Sequence, residues 1–180
     1  MNTYLVTWNP NRWEWDMHED IAALKRRGFF DSQWSCGRTK SIKTGDRLFL
    51  LRQGREPRGI VASGFAMSEP YWDDHWDETR SDKALYVKAR FDSLLDPEID
   101  GVLPISRLQN GQVGAVNWRT QSSGISISPA ATAELEGLWR NFLMEHGQSP
   151  SALPDEVSTP SLYYFGSSAD QVGKLKGRIV

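Results

Sequence analysis

Two β-forming runs sit close together in the first half of this chain. They are Arg47-Leu48-Phe49-Leu50-Leu51-Arg52 and Gly59-Ile60-Val61-Ala62-Ser63-Gly64-Phe65-Ala66. Gly45-Asp46 is a turn signal before the first run, and the polar stretch Gln53 to Arg58 turns the chain into the second. A connection this short leaves no room for a crossover helix, so the second run must return beside the first. Gly59 and Gly64 inside the returning run mark a bulge or a close approach of another backbone.

The flanking segments fit the same class. Thr3 to Trp8 is rich in β-formers and ends at Asn9-Pro10, where Pro10 has no N–H to donate. Asp16 can cap a helix running to Arg27, with Met17, Ile21 and Leu24 on one face and Gly28 ending it. Glu19 and Asp20 lie early in that helix and Lys25, Arg26 and Arg27 late, as the helix dipole favours. Ser68 to Asp82 is an acidic, aromatic loop without helical or strand period, and Ala84 to Phe91 alternates as a strand. Leu103 to Leu108 reads as a short helical turn opened by Pro104. The segment from Trp118 begins polar and ends as a short strand near Ile127. Ser128 then caps a helix with Pro129 at its first position and Leu135, Leu138, Trp139 and Phe142 on its apolar face. Strands and helices do not alternate as βαβα, which predicts an α+β chain: a curved mixed or antiparallel sheet of about five or six strands with flanking helices. Residues 1–147 are expected to form this domain. Residues 148–180, rich in Ser, Pro and acids with a Leu162-Tyr163-Tyr164-Phe165 patch, read as a linker and flexible tail.

Composition removes several function classes. The 180 residues suffice for a packed core without staples, and the single cysteine, Cys36, excludes a disulfide framework or a cysteine-rich zinc site. No apolar run approaches the length of a membrane span, so the expectation is a soluble cytoplasmic protein with no membrane partner. His18, His75 and His146 show no metal spacing, Cys36 has no evident base, and Gly37-Arg38-Thr39-Lys40 lacks the order of a phosphate-binding P-loop. No catalytic set, metal site or cofactor is expected.

Charge and tryptophan remain. Lys25 to Ile60 holds ten Lys/Arg against three Asp/Glu, a net of +7, while Ala66 to Asp100 holds ten Asp/Glu against four Lys/Arg, a net of −6. Such segregation either makes a cationic face or cancels in space. Eight tryptophans are too many for core alone, and Trp13, Trp15, Trp72 and Trp76 sit among charges. Trp34-Ser35-Cys36-Gly37-Arg38-Thr39-Lys40 joins a ring, hydroxyls and cations in one run. Trp34 is either a core ring beside a solvated loop or a ring that stacks a base. In the second case Trp34, Trp72 or Trp76, and Trp118 form an aromatic cage, and Ser35, Thr120, Gln121 and Ser122 read polar edges. Arg38, Thr39, Lys40, Arg52, Arg55 and Arg119 would then meet the nucleic-acid backbone. A base read this way must leave its stack.

Together, Tyr4-Leu5-Val6, the Trp34 to Arg38 run, Gly45 to Phe49, Gly59 to Gly64 and Trp118 to Ile125 resemble an EVE domain. This is a PUA-like domain related to YTH readers, and the likeness is greatest to the N-terminal EVE module of modification-dependent HNH restriction endonucleases. The resemblance spans about Met1 to Glu145. It implies a PUA-like barrel and a pocket for a flipped modified base: 5-methylcytosine or 5-hydroxymethylcytosine in DNA, or N6-methyladenine in RNA for the YTH relatives. It implies Trp34 as the first cage aromatic, Ser35 as a base-edge contact, Trp72 or Trp76 as the second aromatic, and Trp118 to Gly124 as a nucleic-acid-contacting loop. It also implies a nuclease domain or subunit as partner. The paired cysteines of an HNH domain are missing through Val180, so a reader without nuclease activity of its own is expected.

Overall fold

A computed structural model describes residues 1–148. The expected linker and tail over 149–180, with the Leu162 to Phe165 patch, lie outside the described residues.

Eight strands and two helices follow in the order β1 (Thr3–Trp8), α1 (His18–Arg27), β2 (Phe30–Ser35), β3 (Arg47–Arg52), β4 (Gly59–Ala66), β5 (Tyr71–Asp74), β6 (Lys83–Leu94), β7 (Leu103–Pro104), β8 (Ile125–Ile127) and α2 (Pro129–Glu145). The sheet runs β2-β6-β4-β3-β1-β8, with β5 added on β6 and β7 on β4. Only β1 and β3 are parallel; every other pair is antiparallel. Five strands of that path, β1, β3, β4, β6 and β8, are those expected from the sequence. The strands β2 and β5 are additions, formed where the sequence shows no clear period.

The central hairpin forms as its turn chemistry demands. A side chain on Gly59 would meet Leu103 O at 2.0 Å, and one on Gly64 would meet Arg90 O at 2.2 Å. The β4–β6 register shifts between Ser63 and Gly64, so the bulge and the close approach both occur there. Two apolar cores lie on opposite faces of the sheet. One gathers Trp8, Trp15, Phe30, Trp34 and Phe91 under α1; the other gathers Leu5, Phe49, Trp118, Leu135 and Trp139 under α2.

Each helix is fixed by local chemistry. At the start of α1, Asp16 Oδ1 accepts from His18 N (3.1 Å), and Gly28, at φ +75°, donates its N–H to Leu24 O at the end. Ser128 Oγ accepts from Ala131 N (3.3 Å) to cap α2. That helix is locked to the sheet by a polar cluster. Arg47 reaches Asp92 and Glu136, each at 2.8 Å, and Ser63 Oγ at 3.0 Å. Trp139 Nε1 donates to the same Ser63 oxygen at 2.9 Å.

Candidate nucleic-acid interface

The end of β2 and the segment before β8 meet without a strand ladder. Ser123 closes the seam: its hydroxyl donates to Ser35 O (2.5 Å) and accepts from Thr7 N (3.2 Å). Thr39 Oγ1 donates to Gly124 O at 2.7 Å. A side chain on Gly37 would lie 2.5 Å from Ser123 O, and one on Gly124 would lie 2.2 Å from Cys36 O. Both glycines have positive φ, at +61° and +78°, so the turn after Trp34 has the shape that only this pairing allows.

This seam holds Ser35 at the wall of a cleft of about 530 Å³, shared with Arg12, His75, Trp76, Asp77 and Arg80. The volume suits a small planar ligand. The loop bearing Trp76 is held by the buried Tyr86 phenol, which accepts from Trp76 N and donates to Asp74 O, both at 3.1 Å. Burial pushes the phenol of Tyr86 up to about 12, so it remains a donor at neutral pH. His75 Nδ1 accepts from Asp77 N at 3.0 Å. The hydroxyl and N–H of Thr79 hold the Asp77 carboxyl below its ordinary value, which keeps it an anion in the cleft.

The aromatic residues divide by position. Trp34 is fully buried. Its ring packs edge-on against Trp15 (5.4 Å), Trp13 (6.3 Å) and Phe91 (6.0 Å). The expected open face of Trp34 is therefore filled by neighbouring rings, because the even residues of β2 point into the core under α1. Trp34 forms the packed base on which Ser35 is mounted. Trp118 is buried in the other core, with Nε1 donating to Val113 O at 2.8 Å, so it cannot face Trp34 or Trp76. Trp76 is half-buried in the cleft and Trp72 is exposed. Thr120 is buried, and its carbonyl accepts from Gln53 Nε2; Gln121 and Ser122 are exposed. Arg52, Trp118, Arg119, Thr120 and Gln121 share a second, smaller cavity of about 150 Å³.

The cations divide as well. The basic and acidic segments cancel in part at Arg47–Asp92, Lys43–Glu69 (2.9 Å) and Arg52–Glu98 (3.2 Å), while Arg90–Asp31 (2.8 Å) pairs the minority charge of each. Arg52 is buried to 1 % exposure, bonded to the carbonyls of Arg55 and Pro57 and placed over the Trp8 ring. It is thus an interior strut and not a backbone contact. The Thr39 hydroxyl is likewise spent on the seam. Arg38, Lys40, Arg55 and Arg119 are exposed and form no salt bridge among the described residues. Lys40 Nζ lies 5.9 Å from the Trp72 ring centroid. Arg12, Arg80, His75 and Asp77 are cleft residues that sequence reasoning missed. The only sequence signal for them was their place among tryptophans.

Cys36 is buried, donates to Leu85 O at 3.5 Å and has its thiol pushed up to about 11 by burial. It is a protonated packing residue at neutral pH, not a nucleophile.

No protein-family model and no curated protein sequence matches the chain. Solved structures do. Human THYN1, in complex with DNA containing 5-methylcytosine, aligns over 77 % of this chain and 97 % of its own, with 15 % identity and a TM-score of 0.56. A Pseudomonas syringae protein aligns over 76 % of this chain and 98 % of its own, with 16 % identity and a TM-score of 0.51. The fold is PUA-like. The Mmi1 YTH domain also aligns, at 12 % identity over 81 % of this chain and 99 % of its own, but its TM-score of 0.41 adds nothing to that assignment.

Proposed function

We propose that this chain is a non-catalytic reader of DNA carrying 5-methylcytosine or 5-hydroxymethylcytosine. The modified base leaves its stack and enters the cleft between Ser35 and Trp76. The observation that carries this reading is the cleft itself: one aromatic face, one hydroxyl, one carboxylate and two arginines converge beside the seam. Trp76 supplies the stacking surface, and Ser35 and Asp77 can accept from an exocyclic amino group. The unpaired cations Arg38, Lys40, Arg55 and Arg119 can meet phosphates. The fold likeness to THYN1, whose complex contains 5-methylcytosine DNA, supports the same reading. The resemblance to EVE modules of restriction endonucleases supports a role in modification-dependent restriction in the cytoplasm, with the nuclease supplied by another domain or subunit.

The test is binding to matched modified and unmodified oligonucleotides, as DNA and as RNA. Tighter binding of modified DNA is expected, with Trp76→Ala weakening it by roughly 1–3 kcal/mol, the usual worth of one base–aromatic stack. Equal affinity for modified and unmodified DNA contradicts the reading. Preference for modified RNA would redirect it to the 2′-OH-bearing polymer.

A further inference from the structure

Trp72 stands in neither core and does not line the cleft. It is 56 % exposed, although it sits on β5, whose backbone is fixed by pairing of Tyr71 to Asp74 with β6. The strand continues directly into the loop that carries His75, Trp76 and Asp77. Tyr86 pairs with Tyr71 on one side and with Ser35 on the other, so β5, β6 and the end of β2 lie side by side at the cleft. Lys40 lies over the Trp72 ring. Among the described residues the other exposed large apolar side chains, Met1, Ile99 and Met144, neither line the cleft nor adjoin its loop.

Removing a base from a duplex leaves a gap between two neighbours that have lost their stacking partner. A side chain that fills this gap must be large, apolar, exposed before binding, held on a rigid element and flanked by charge that meets the phosphates. Trp72 is large, exposed and held on a paired strand, and Lys40 at its ring is the cation that would meet a phosphate, with the carboxylates of Asp73 and Asp74 following it along β5. Trp76 cannot serve both purposes, because it lines the cleft that would receive the base. We propose that Trp72 is the wedge that occupies the vacated stack, and that the chain therefore acts on duplex DNA and not on a single strand. This rests on the reading of the cleft as a modified-base site.

The experiment compares a modified-cytosine oligonucleotide as duplex and as single strand, bound by the unsubstituted protein, Trp72→Ala and Trp72→Phe. A single strand has no gap to fill. Trp72→Ala should weaken duplex binding about ten- to a hundredfold and single-strand binding no more than about twofold, while Trp72→Phe restores most of the duplex affinity. Equal losses on both forms would show that Trp72 stacks on the bound strand itself, and no loss on either would leave it without a binding role; each overturns the proposal. Lack of preference for the modified base in the unsubstituted protein overturns the cleft reading and this one together. Base-selective binding with an unchanged Trp72→Ala duplex affinity overturns only this one.

Discussion

Trp34 and Ser35 are chain neighbours with opposite environments. Alternation along β2 sends the indole into a cluster of rings and leaves the serine at the cleft wall. Trp34→Ala should therefore act on stability, by about 3–5 kcal/mol, since a large buried ring leaves a cavity that its neighbours cannot fill; denaturant titration checks this. A stable Trp34→Ala protein with lost binding would contradict the core assignment. Cys36 gives a pH dependence. Its folded thiol is raised above the ordinary value to about 11. Its contribution is therefore fully present below the unfolded pKa and is lost as pH rises from about 9 toward 11. The tyrosines Tyr71 and Tyr86, raised to about 12, add losses of the same sign at higher pH. Unfolding measured from pH 7 to 10.5 should show falling stability, with the earliest part of the fall removed by Cys36→Ala. The run Trp34 to Lys40 stands out in the sequence as a ring beside hydroxyls and cations, but residue type alone could not say which side chains face in. That depends on β2, whose mixture of Asp, Ser and Gln with aromatics shows no strand period.

Among the elements, α2 and the central hairpin depend on one cation. Arg47 compensates Asp92 and Glu136 and holds Ser63, and it lies over the Phe49 and Phe65 rings. Its loss strands two carboxylates that are mostly buried, so Arg47→Ala should destabilise by about 3–5 kcal/mol. Thermal unfolding checks this, and a shift comparable to that of an exposed pair such as Arg80–Asp82 would contradict it. The elements that position this lock were legible in the sequence. Ser128-Pro129 marks the start of α2, and Gly45-Asp46 marks the hairpin. Strand β5 was not legible, because its order comes from pairing with β6 and not from its own pattern. The seam at Ser123 was equally hidden: it joins Thr7, Ser35 and Gly124, which only the fold brings together.

For the whole molecule, charge segregation along the sequence is cancelled only in part, at Lys43–Glu69, Arg47–Asp92 and Arg52–Glu98, and the exposed cations left over are what can bind. Arg47, Arg52, Lys43 and Arg90 are occupied by acids, while Arg38, Lys40, Arg55 and Arg119 are left exposed. A contact with Z phosphates gives a salt slope near −0.7Z to −0.9Z. Replacing Arg38 and Lys40 together by Gln should make the slope shallower by about 1 to 2 without changing the preference among bases. Unchanged slope would remove these residues from the interface. The central claim is that a modified cytosine enters the cleft beside Ser35 and stacks on Trp76. A fluorescence titration on duplexes that differ only at the 5-position of one cytosine, with 2-aminopurine placed beside it, tests this most directly. The account predicts tighter binding of the modified duplex and a rise in 2-aminopurine emission as its neighbour unstacks, both lost in Trp76→Ala. Equal affinity for the two duplexes with unchanged emission would contradict it.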